Sequence, residues 1–184
     1  MKVKDIIILA LDFCHEDSLA SLLRTENPTL TDEQQEKVNS FTRCFNLVYE
    51  ELSSQYLPII KTETVSATDG KVLYSSLSQK VLDVVEVKNA HGRKIKFRKF
   101  DSYLFALASE VTVSYKTLPN ALTESSEFSC PLPERIFAYG VAREFFYLQG
   151  ASDEAEIYDN RYKDSLLVLL GKSKEIKMPA RGWI

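Results

Sequence analysis

The stretch Val111-Thr112-Val113-Ser114-Tyr115-Lys116 decides the fold class. Apolar and polar side chains alternate along it, the pattern of a strand with one buried and one wet face. Working outward, residues 82–88 and 93–100 predict a hairpin around Asn89-Ala90-His91-Gly92, in which Gly92 supplies a positive φ. Ile95 and Phe97 then point one way, and Lys94, Lys96 and Arg98 the other. Short strands are predicted at 61–67 and 72–74, separated by the turn signal Asp69-Gly70. Residues 59–130 therefore read as an inserted antiparallel β domain, whether a single sheet, a sandwich or an open barrel.

Both flanks of this segment are helical in period. Thr31 and Gln34 form a capping box, with Asp32 and Glu33 at the positive helix end, and the predicted helix runs unbroken to Tyr56 before Pro58. Its face is Val38, Phe41, Phe45, Val48 and Leu52. Ahead of it, Ile6, Leu9, Ala10 and Phe13 fit a short amphipathic helix, and residues 18–23 add a further turn or two. After Pro131 and Pro133, Ile136, Phe137, Gly140, Val141, Phe145 and Leu148 trace a stripe that ends at Gly150. Ser152 is expected to cap the last helix, with Ile157, Leu166 and Leu170 on its stripe and Gly171 beyond it. The short connector Gly150-Ala151 implies an antiparallel helical hairpin. The fold class is thus α+β: residues 1–58 and 131–171 form one helical bundle around the inserted β domain, and 172–184 is an extended tail.

The chain has 184 residues, 45% hydrophobic and 27% charged, enough apolar surface to build a core. Its net charge of −3 excludes a uniformly basic nucleic-acid binder. No apolar run approaches membrane-spanning length, since Asp12 stops the block Ile6-Ile7-Ile8-Leu9-Ala10-Leu11, and a soluble protein without a signal peptide is expected. Cys14, Cys44 and Cys130 lack C-x-x-C spacing and suit buried thiols in a reducing, cytoplasmic compartment. Charge is uneven: residues 1–58 carry 5 basic and 10 acidic groups, 59–130 carry 10 and 8, and 131–184 carry 8 and 8.

Motifs for catalysis fail on spacing. Gly171-Lys172-Ser173 resembles the end of a phosphate-binding loop, but Leu166 stands where the first glycine is needed, and the segment closes a helix instead of opening one. Cys14-His15-Glu16-Asp17 has metal-ligand types in adjacent positions that diverge, with no second ligand pair. His15 and His91 are the only histidines, and the pairs Glu50-Glu51 and Glu154-Glu156 belong on solvated faces. A non-enzyme without metal or cofactor is expected.

The basic residues Lys88, Arg93, Lys94, Lys96, Arg98 and Lys99 fall within twelve positions that contain no acid. Protection of an edge hairpin against stray pairing is the first reading. Contact with phosphates is the second, and contact with the acidic helices of a neighbouring copy the third. The aromatic residues Phe137, Tyr139, Phe145, Phe146, Tyr147, Tyr158 and Tyr162 are expected to pack on the N-terminal helices or to form a subunit interface.

Three features together resemble the head-to-tail connector (adaptor) proteins of tailed bacteriophages. These are the long helix ending in Tyr56-Leu57-Pro58, the β insertion with Val84-Val85-Glu86-Val87, and the C-terminal pair. That pair runs from Leu132-Pro133-Glu134-Arg135-Ile136-Phe137 through Gly140-Val141-Ala142-Arg143-Glu144-Phe145-Phe146 to Asp153-Glu154-Ala155-Glu156-Ile157-Tyr158-Asp159-Asn160-Arg161-Tyr162. The resemblance implies a non-enzymatic virion or prophage protein that assembles as a homo-oligomeric ring between portal and tail. Its partners would be portal and tail proteins, with no membrane and at most non-specific DNA contact. It would sit in the host cytoplasm during assembly and at the head-tail junction of the virion. It also implies a portal-docking tail with Lys172, Lys174, Lys177, Arg181, Trp183 and Ile184. The alternative function is a nucleic-acid-binding module that uses the basic hairpin 88–99.

Overall fold

A computed structural model describes residues 1–26 and 28–171 of the chain. The fold is α+β, in two compact units. One comprises Met1–Tyr49 with the described residues from Ala121 onward, and the other Glu50–Asn120. The boundaries expected from the change of period, at 59 and 131, thus fall later in the chain than those of the two compact units. Residues 121–130 side with the helical unit because they are bonded to it. Met1 and Phe128 exchange backbone hydrogen bonds at 3.0 Å each. The Asn46 side chain accepts from Leu122 N at 2.8 Å and donates to Leu122 O at 2.9 Å.

The helical unit contains α1 (Val3–Phe13), α2 (Asp17–Leu23), α3 (Asp32–Glu51), α4 (Glu134–Gln149) and α5 (Ser152–Leu170). The capping box forms as expected: Thr31 N donates to Gln34 Oε1 at 3.0 Å and Gln34 N to Thr31 Oγ1 at 3.3 Å. The long helix is not uniform, however. Its α-helical part ends at Glu51, and Leu52–Tyr56 form a π-helical turn closed by Leu57 N donating to Leu52 O at 2.7 Å. Ser152 is the first helical residue of α5 and Ala151 the N-cap, with no side-chain cap bond, one position from the expected arrangement.

Aromatic rings knit the ends of the chain together. Phe41 stacks on Phe145 with centroids 4.1 Å apart, Phe45 on Phe137 at 5.8 Å, and Phe13 on Tyr139 at 5.1 Å. These contacts join α1 and α3 to α4, so most of the aromatic stripe is core. Two positions expected on the stripes are instead exposed, Leu148 and Ile157. The inward stripe of α5 is Ala155, Tyr162 and Leu166, and Ile157 lies about 180° around the helix from Leu166 at 100° per residue. Arg143 is buried in this hairpin. Its guanidinium reaches Glu144 Oε1 at 2.6 Å and Asp159 Oδ1 at 3.3 Å, and its centre lies 4.9 Å from the Tyr162 ring centroid.

The β unit holds β1 (Ile59–Ser66), β2 (Lys71–Leu73), β3 (Asp83–Asn89), β4 (Phe97–Lys99), β5 (Tyr103–Ala106) and β6 (Glu110–Thr117). They form two antiparallel three-stranded sheets, ordered β1-β6-β3 and β2-β5-β4. Val84, Val87, Val111, Val113 and Tyr115 from the first sheet meet Val72, Leu104 and Ala106 from the second, so the insertion is a small sandwich. Strand β6 alternates as expected, with 111, 113 and 115 buried. A bulge in β3 between Val84 and Glu86 lets both Val84 and Val87 face inward although they are three residues apart.

The expected hairpin 82–88/93–100 closes only at its tip. Asn89 N donates to Arg93 O and Ile95 N to Val87 O, each at 2.9 Å, and Gly92 has φ +73°. Beyond Ile95 the chain leaves β3, whose ladder partner is β6, and β4 pairs with β5 in the other sheet. Strand β5 had no clear signature: its four residues, Tyr103-Leu104-Phe105-Ala106, are all apolar and do not alternate.

At Gly140 a Cβ would lie 2.7 Å from Val48 Cγ1 and 3.2 Å from Tyr162 Cε2. Overpacking of this kind costs typically ~1–3 kcal/mol, more than the roughly 1 kcal/mol that alanine gains in helix propensity. Gly140→Ala is therefore expected to lower the unfolding free energy in urea titrations. Val48→Ala in that background should recover part of the loss, a coupling that independent sites do not display.

Candidate functional site

The basic hairpin is less open than its sequence suggests. Lys88 and Lys94 both pair with Glu86, at 2.9 and 2.6 Å, and Lys99 pairs with Asp83. The carboxyl of Glu86 is held below its ordinary range by Lys94 and then Lys88, and that of Asp83 by Lys99. Both acids lie just outside the acid-free window, and the i, i+2 spacing of Glu86 and Lys88 on one strand face was the available signal. Arg93, Lys96 and Arg98 are exposed and make no ion pair among the described residues.

Lys96 and Arg98 border an open groove of about 690 Å³ whose other walls are Ile95, Phe97, Phe105 and Leu107. No acidic residue lines it. Cross-strand register explains the grouping: Arg98 on β4 sits opposite Phe105 on β5, and Phe105 opposite Lys71 on β2. The Phe105 ring is seated against the two-residue turn Asp69-Gly70, where both residues have positive φ. A Cβ on Gly70 would stand 2.9 Å from Phe105 Cε2, so glycine is needed there for conformation and for space. Leu107, 86% exposed, completes the rim. Sequence reading found the two cations and missed Phe105 and Leu107, because β5 carried no alternation to place them.

A second polar cluster joins β1, β6 and the loop before β3. Glu63 accepts from Ser78 Oγ, from Ser78 N at 3.0 Å and from Tyr115 OH at 2.7 Å, and Lys61 Nζ lies 3.2 Å away. The lysine also donates to Ser78 Oγ. A serine beside a lysine has the elements of a nucleophile, but the hydroxyl already donates to the carboxylate. The cluster ties residue 78 to the sheet.

The remaining candidates are dispersed. Among the described residues no group of three His, Cys, Asp or Glu side chains is placed to hold a metal ion, and no helix is long and apolar enough to cross a membrane. Glu16 pairs with Lys37 at 2.6 Å, and His15 is exposed at φ +59° between α1 and α2. Cys44 is buried, whereas Cys14 and Cys130 are half-buried, and all three are free thiols. Burial pushes the Cys14 thiol up to about 12 and Cys44 up to about 11, so neither is a thiolate near neutral pH. Lys172, Lys174, Lys177, Arg181, Trp183 and Ile184 lie outside the described residues. The chain matches no protein-family model and no curated protein.

Hydrogen bonds from Ser78, then Tyr115, hold the Glu63 carboxyl down at about 2, against 4.5 ordinarily. A carboxyl lowered by folding contributes stability that is complete above its unfolded value and is lost as pH falls through the folded one. Between pH 5 and 2 the thermal midpoint of the wild type should therefore drop more steeply than that of Glu63→Gln. At neutral pH, Glu63→Gln is expected to cost about 1.5–3 kcal/mol, the size of a hydrogen bond to a charged group.

Proposed function

We propose that the protein is a non-enzymatic structural connector of a tailed phage or prophage, a chain whose copies form a ring between portal and tail. The observation that carries this reading is the build of the chain. A helical unit made from both ends is interrupted by a β unit, and the α4–α5 hairpin contains the sequence that resembles the connector family. The surface of α5 supports it. Leu167, Val168 and Leu169 are exposed in its last turns, beside a groove of about 440 Å³ lined by Pro133, Ile136, Tyr139 and Val168 together with the polar Arg135, Asp164 and Ser165. Exposed apolar surface at the end of a helix suits a protein partner better than water, and this helix leads directly into the basic tail that the family resemblance assigns to the portal.

Purification of the tagged protein from its induced native host is the direct test. Stoichiometric recovery of a portal protein supports the connector role; recovery of DNA-processing proteins with no portal overturns it. Leu167→Asp/Val168→Asp should leave stability within about 0.5 kcal/mol, as exposed substitutions do, and abolish portal recovery. Truncation after Gly171 is expected to do the same.

A further inference from the structure

We infer that the groove between β4 and β5 binds single-stranded nucleic acid, with Lys96 and Arg98 on phosphates and an unpaired base against Phe105 and Leu107. The inference concerns the β unit alone and goes beyond a connector role. Four observations bear on it. The groove is lined by two cations and no acid, so its field favours a polyanion. Neither cation is neutralised by an ion pair among the described residues, in contrast to Lys88, Lys94 and Lys99 on the same segment. The apolar part of the lining carries the half-buried Phe105 ring and the exposed Leu107, with Phe105 held in place by Gly70 and flanked across the sheet by Arg98 and Lys71. Finally, Arg93 lies exposed at the tip of the same segment, three residues before Lys96.

Such a layout matches what single strands need. A backbone follows cations, and bases stack on aromatic rings without sequence readout. A base-paired duplex keeps its bases stacked within the helix and has none to offer Phe105. An acidic peptide would satisfy Lys96 and Arg98 but would leave Phe105 and Leu107 exposed. The chemistry of the lining therefore selects a ligand that is both anionic and aromatic.

The test is fluorescence anisotropy of the full chain with a fluorescein-labelled twelve-nucleotide oligo-dT, an equal-length duplex, and a polyglutamate competitor, from 50 to 200 mM salt. Saturable oligo-dT binding is expected, tighter than duplex. With contacts from Arg93, Lys96 and Arg98, log Kd should rise against log salt with a slope of about 2, at roughly 0.7 per phosphate contact. Lys96→Ala/Arg98→Ala should weaken binding and bring the slope below about 1. Phe105→Ala should weaken it about tenfold with the slope unchanged, and Phe105→Tyr should retain it. Leu107→Ala, at a site too exposed to disturb folding, should weaken it in the same sense. No saturable binding at 50 mM salt overturns the inference. So does affinity unchanged by Lys96→Ala/Arg98→Ala, equal affinity for duplex, or polyglutamate competing as well as unlabelled oligo-dT.

Discussion

The helical unit depends on one close approach, that of α4 to α3 at Gly140. With hydrogen in place of a side chain, Val48 comes within a distance that no methyl group allows, and the Tyr162 ring of α5 closes the same spot from the other side. This contact limits how near the helices lie at that point. Phe145 and Phe137, on either side of Gly140 along α4, stack on Phe41 and Phe45 of α3. Dispersion forfeits much of its strength over a gap of an ångström, so a wider spacing would weaken every ring pair together.

The β unit answers to a different constraint. Its core is only one layer of valines, a tyrosine, two leucines and an alanine, so both sheets must present their inward residues in register. Strand β6 does this by plain alternation, while β3 needs a bulge to bring Val84 and Val87 to the same face. At the Asp69-Gly70 turn the chain passes from the first sheet to the second, and the same turn supports Phe105 on the outer face. Core and groove are thus linked through one turn.

Charge follows the same division between buried and wet. In the helical hairpin, Arg143 is buried with Glu144, Asp159 and the Tyr162 ring around it, an arrangement in which hydrogen bonds and ring contact offset the loss of water. On the β unit, three of the six cations of residues 88–99 are paired with Asp83 and Glu86, contacts that add little to stability but remove net charge locally. What remains positive is concentrated at Arg93, Lys96 and Arg98.

Local sequence determined the parts whose signals are local. The Thr31–Gln34 capping box, the Val111-Val113-Tyr115 alternation, the Asp69-Gly70 turn and the αL glycine at 150 each involve neighbours within a few residues, and each is where the sequence places it. The α+β class follows from these alone. Partner choice belonged to the tertiary structure. That β3 joins β6 and not the strand after Gly92, that residues 121–130 bond to the first residues and to α3, and that α5 turns Ile157 outward are settled by distant side chains. The groove was hidden for the same reason. Its cations are sequence neighbours, but Phe105 and Leu107 join them only through a strand pairing, and pairing energy depends on packing across the sheet more than on the residues of either strand.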